Sequence, residues 1–178
     1  VASAAGVTVD GNVDSSGGEI FLESDSDGAG AEALTLASGT LTADTVTLTS
    51  NTGLVDIDIN PNNTDGGIIF GSSAGITLDD NLTANGPIDA SVVTGDIIIG
   101  TAATTIDSTN ADITLGGAIV GAQNLILDAG AGVISLQAVG GATDPTSVTI
   151  AAASQLILNS DIESSGAVTF TSADSTTL

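Results

Sequence analysis

Short apolar triplets recur along the whole chain, each fenced by Gly, Ser, Asn or Asp, and their spacing constrains the fold more than any other feature. Examples are Val7-Thr8-Val9, Leu34-Thr35-Leu36, Ile57-Asp58-Ile59, Ile76-Thr77-Leu78, Ile113-Thr114-Leu115 and Ile134-Ser135-Leu136. Most read apolar, polar, apolar, which is the period-2 pattern of a short strand with one buried face. Apolar residues do not recur at i, i+3 and i+4, and the residues between triplets are poor helix formers, so helix is disfavoured throughout.

The triplets fall into interleaved series. Ile113, Ile134 and Leu156 start triplets 21 and 22 residues apart; Leu125, Val148 and Val168 are 23 and 20 apart; Leu34, Ile57, Ile76 and Ile97 are 23, 19 and 21 apart. A sustained repeat of roughly 20 residues lies in the solenoid range. A hairpin sandwich would instead show longer strands and two-residue turns. The chain is therefore read as all-β: a right-handed parallel β-solenoid (β-helix) with rungs of roughly 20 residues. Residues 1–178 form one segment of about eight rungs, on the order of 40 Å long, within a longer chain or a polymer. Residues 86–112 keep the rhythm least clearly, with Val92-Val93 and Ile106 as isolated beats, and predict an irregular rung or a local insertion.

Charge narrows the function classes. The 178 residues include no Lys, Arg, His or Cys, against 22 Asp plus Glu, for a formal charge of -22. Imidazole bases, thiolate nucleophiles, Schiff-base lysines and basic phosphate clamps are all missing, so the chain is not expected to be an enzyme. Nucleic acid and anionic membrane surfaces are excluded as partners, because every charge here repels them. Such acidity often accompanies disorder, yet 42% of residues are hydrophobic, enough to build a core. No run approaches the roughly 18 consecutive apolar residues of a membrane helix, so no membrane insertion is expected. The lack of an initiating Met or a basic leader reads as a mature protein or a section of a larger one.

Three acidic clusters have the composition of calcium sites, which need six to eight oxygen ligands. Glu23, Asp25 and Asp27 alternate before Gly28; Asp56, Asp58 and Asp65 share a stretch with Asn60 and Asn62; Asp79 and Asp80 precede Asn81. Calcium is the cofactor these residues suggest, and solvated turn acids are the plainer reading. Asp79 and Asp80 as paired glycosidase carboxylates fit poorly, because neighbours on a strand point to opposite faces. Thr40, Thr42, Thr45, Thr47 and Thr49 form rows like those of ice-binding solenoids, although Thr is a common strand surface residue. Asn62-Asn63-Thr64 and Asn81-Leu82-Thr83 are glycosylation sequons, at a frequency close to chance in so Asn- and Thr-rich a chain.

Four segments, GGEIFLESD, SGTLTADTVTLTS, AQNLILDAGAGVISL and SSGAVTFTSAD, resemble β-helical rungs of filamentous-haemagglutinin-like proteins, the two-partner-secreted adhesins of bacteria. Residues 59–78 are similar to that family's secretion motif, an Asn-Pro-Asn-Gly turn leading into an apolar strand. They depart from it in that Asn60-Pro61-Asn62 is followed by Asn63-Thr64-Asp65 before the glycines. The resemblance implies a β-helical fold and a place on the bacterial surface. The absence of Lys and Arg, unusual for that family, leans toward surface-layer or other fibre proteins and leaves no trypsin site.

The expected function is a structural component of an extracellular bacterial or archaeal surface fibre, filament or layer. The alternative is an adhesin stalk or binding module recognising glycan or a host protein. With three Phe and no Tyr or Trp to stack on sugars, scaffold is favoured over lectin. Neither Val7-Thr8-Val9 nor Val168-Thr169-Phe170 carries a helical or charged cap, so the expected partner is another copy stacked end to end, or flanking rungs of a longer chain.

Overall fold

A computed structural model of the chain describes all residues except Thr64, Ser172 and Leu178, with the backbone alone for Ser72 and residues 173–177. It is a parallel β-solenoid of about 7 turns with rungs of about 22 residues. No helix occurs among the described residues, and so none is long and apolar enough to cross a membrane.

All strand pairing is parallel, and the strands stack in three runs. In the first, Val7–Asp10 lies on Leu34–Ser38, then come Leu54–Ile57, Gly75–Leu78, Ile97–Ile99 and the end of Ile113–Val120. The second runs from Val13–Ser24 through Leu41–Ser50, Gly67–Ser72, Ile88–Ala90, Ile113–Val120 and Val133–Val139 to Ser147–Leu158 and Ala173–Thr177. The third contains Leu82–Thr83, Thr104–Asp107, Asn124–Asp128, the start of Ser147–Leu158 and Val168–Phe170.

Period-2 alternation turns these registers into aliphatic ladders. Ile20, Val46, Ile68, Ile88, Ile113, Ile134 and Leu156 lie one above another, all buried. A second ladder is Leu34, Val55, Ile76, Ile97 and Ile119. Full burial of each such side chain contributes about 1.5–3 kcal/mol, and a one-residue slip would turn a whole strand's apolar set toward solvent. At the corners the chain passes very close to itself. Gly39, at φ +96°, sits where a Cβ would overlap the backbone of Gly11 in the preceding rung.

Several details differ from the pattern read in the sequence. The chain makes about seven rungs rather than eight, because the spacing is uneven: Val7 pairs with Leu34, 27 residues on, and Ile88 with Ile113, 25 on. The beat at Ile57-Asp58-Ile59 is displaced by two residues. Alternation from Val55 to Ile59 fits either frame, but Val55 and Ile57 are the fully buried pair, in register with Ile76 and Leu78. Residues 86–112 form a rung with three-residue strands at Ile88–Ala90 and Ile97–Ile99, in register with the rungs on either side. The Thr rows form no continuous array, since Thr47 is stacked between Phe21 and Ile69.

The ladders set a mutational contrast. Ile134→Ala removes a fully buried side chain held between Ile113 and Leu156 and is expected to cost about 2–5 kcal/mol in chemical denaturation. Thr114→Ala, on the outward face one residue along from Ile113, is expected to stay within about 0.5 kcal/mol of the parent.

Candidate metal centre

The register that joins Val55–Ile57 to Ile76–Leu78 also decides which acids meet. Asp56 is the outward middle residue of its strand triplet, Asp58 begins the bend that follows, and Asp79 begins the equivalent bend one rung later. One carboxylate oxygen from each of Asp56, Asp58 and Asp79 lies within 4.8 Å of the others. No basic side chain exists to offset them. Burial, followed by the charges of Asp58 and Asp79, pushes the Asp56 carboxyl above the ordinary Asp value. Asp79 Oδ1 accepts the backbone N–H of Thr101 at 2.9 Å, which anchors it on the next rung. Three converging carboxylates from two rungs offer the hard oxygen donors that a calcium ion takes.

Among the described residues this is the one group of three or more acidic side chains arranged so closely, and it combines members of two sequence clusters. Asp65 and Asp80 stand apart from it: Asp65 is exposed in the bend before Gly66, and Asp80 Oδ1 caps the backbone N–H of Asn81 at 2.7 Å. Asp79 and Asp80 both lie in the bend after the strand, where Asp79 is engaged with Thr101 and Asp80 with its own neighbour.

Glu23, Asp25 and Asp27 are not gathered into such a group. Glu23 accepts from the side-chain amide of Asn51 at 3.3 Å, and Asp27 is exposed, with Oδ1 accepting the Ala29 N–H at 3.1 Å. Asp25 is turned into the fold and fully buried, at φ 53° in the left-handed region. Its Oδ2 accepts the Thr52 N–H at 2.9 Å and also the Thr52 hydroxyl. The Thr52 hydroxyl foremost, working against burial, holds the Asp25 carboxyl below its ordinary value, with the Thr52, Ala29 and Gly30 backbone N–H groups adding to the effect.

These contacts belong to a device that runs along the solenoid. Side-chain oxygens at the corners accept backbone N–H groups one rung later: Asn12 from Thr40, Asn81 from Thr105, Asn110 from Ala131 and Asp112 from Val133, at 2.8 to 3.2 Å. Asn63 is a fully buried version, with Oδ1 accepting from Ala43 and Nδ2 donating to the Gly67 carbonyl. It plugs the corner where the secretion-motif resemblance falls. Of the two sequons, Thr64 lies outside the described residues, and Asn81 is already engaged with Thr105.

Comparison with protein-family models, curated proteins and solved structures found no match to this chain. What it is therefore rests on its fold: it is a β-helical repeat protein.

The sign of the Asp56 shift gives a pH test. A carboxyl whose folded value is raised binds its proton more tightly in the folded state, so its contribution to stability is fully present below the ordinary Asp value. That contribution is lost as pH rises from the ordinary value through the raised one. In calcium-free buffer, Asp58→Asn removes one repelling charge and is expected to raise stability at pH 7 by about 0.5 kcal/mol, roughly 1–2 °C. It is also expected to flatten the fall in melting temperature across that pH window, as followed by circular dichroism.

Proposed function

We propose that this chain is a structural section of an extracellular surface fibre, filament or layer, extended by stacking of its end rungs on another copy or on flanking rungs of a longer chain. A relation to filamentous-haemagglutinin-like surface proteins, carried by the four rung segments quoted above, belongs to the same reading.

The observation that carries it is the state of the final rung. Val148 and Ile150 are fully buried, whereas Val168 and Phe170, paired directly on them, are 39% and 49% exposed. Together with Leu158, Ile162 and the polar Asn159, Ser160 and Asp161 they line an open cleft of about 470 Å³. Internal rungs bury these ladder positions by covering them with another parallel rung. A copy added in the same orientation would repeat that contact. Such a head-to-tail interface does not close on itself and so generates filaments.

Other features support a mechanical role over a chemical one. The chain lacks imidazole bases, thiolate nucleophiles, Schiff-base lysines and basic phosphate clamps. The exposed Phe21, Leu54, Ile98 and Ile126 sit on separate strands and make no aromatic platform for a sugar, which favours scaffold over glycan-binding module.

Charge sets the conditions of the test. Copies carrying -22 each repel at low salt, and the repulsion is screened over about 10 Å at 0.1 M and about 3 Å at 1 M. Sedimentation velocity and negative-stain microscopy are expected to show short rods at low salt and end-to-end filaments at high salt. Phe170→Asp is expected to hold the protein as single rods throughout. A parent protein that stays monomeric at high concentration and high salt would count against copy-to-copy stacking and would point to flanking rungs of a longer chain as the cover.

A further inference from the structure

A second acidic corner, in residues 25–32, has properties that the exposed acids lack. Asp25 is 0% exposed, and its Oδ1 has no hydrogen-bond partner; Glu32 Oε2 is likewise shut off from solvent and unpartnered. Leaving buried carboxylate oxygens unpaired is costly. Elsewhere an Arg or Lys would relieve that cost, but this sequence has none.

Both side chains adjoin Gly30. The Thr52 hydroxyl contacts both Asp25 Oδ2 and the Gly30 carbonyl. The Glu32 carboxylate lies against Gly30 so closely that a Cβ at that position would overlap it. A hydroxyl has one proton to donate, so it satisfies only one of its two oxygen neighbours. The corner is thus rich in oxygen, and the donors facing Asp25 are the Thr52 hydroxyl and backbone N–H groups. It is also held in place. The buried Ser24 and Ser50 hydroxyls both donate to the Glu32 carbonyl, at 3.1 and 2.8 Å, and Asn51 donates to the Asp25 carbonyl at 2.9 Å.

We propose that this corner binds one hard divalent cation, calcium where calcium is available, through Asp25 Oδ1 and Glu32 Oε2, with the Gly30 carbonyl and Thr52 hydroxyl oxygens beside them. Calcium suits the site because it accepts carboxylate, carbonyl and hydroxyl oxygens in flexible geometry. The bound ion would tie the corner of residues 25–32 to Thr52 in the next rung. The site is separate from the Asp56, Asp58 and Asp79 group and does not depend on copies stacking.

The test is calorimetric titration of calcium chloride into chelator-stripped protein carrying Asp58→Asn, which disables the other acidic group. One calcium per chain is expected, with a rise in melting temperature that sodium chloride of equal ionic strength does not reproduce. Adding Glu32→Gln, which keeps the shape and removes the charge, is expected to weaken binding about tenfold or more. Should that variant fold poorly, amide spectra of the Asp58→Asn protein during the titration give a second readout, with shifts expected at Gly30, Glu32 and Thr52. Absence of calcium binding, an affinity unchanged by Glu32→Gln, or shifts confined to residues 56–58 and 79 would overturn the proposal.

Discussion

Each rung is held to the next by parallel backbone hydrogen bonds, and the buried aliphatic ladders decide which residues those bonds join. Ile134 is in register with Ile113 below and Leu156 above because all three must point inward at the same height. Once that is set, everything at the corners follows from it. Asp58 lies over Asp79 because Ile57 is over Leu78. Asn81 reaches the Thr105 N–H, and Asp112 that of Val133, because a side chain at a corner faces the same corner one rung later. The function proposed here uses the same interaction, with the exposed Val168 and Phe170 offering one more position in the ladder.

A chain with a formal charge of -22 and no basic residue folds by a different electrostatic logic from most proteins. Its carboxylates are compensated in part by backbone dipoles, since corner N–H groups are donors that the strand ladder leaves free. Asp79, Asp112 and Asp128 are used in this way. Two places exceed what backbone donors supply. At Asp56, Asp58 and Asp79 the charges face partly toward water and raise the Asp56 value. At Asp25 and Glu32 the oxygens are enclosed. Screening by solvent eases the first far more than the second, which is why the enclosed corner is the stronger candidate for a bound ion.

Much of the fold was legible because residues such as Ile113, Ile134, Leu156, Leu125, Val148 and Val168 announce the register by spacing alone. Where alternation continues over five residues, as from Val55 to Ile59, the frame is ambiguous by two, and burial rather than pattern selects it. Loop length also escapes the pattern. From Ile76 to Leu82 the chain takes six residues, and from Ile97 to Ile106 nine, with the longer bend absorbing the difference. The acidic group was half legible: Asp56, Asp58 and Asp79 stood out individually, but their meeting depends on the 21-residue step between Val55 and Ile76. Glu32 had no signal at all, since only closure of its corner brings it against Gly30.

The measurement that bears most directly on the ladder is a set of long-range nuclear Overhauser contacts in the isotope-labelled protein. Parallel rungs require backbone proton contacts joining Val55 to Ile76, Ile76 to Ile97, Ile113 to Ile134 and Leu125 to Val148, all at separations of 21 to 23 residues. Contacts instead between sequence-adjacent strands in antiparallel order, such as Ile113–Val120 against Asn124–Asp128, would mean hairpins and would contradict the solenoid.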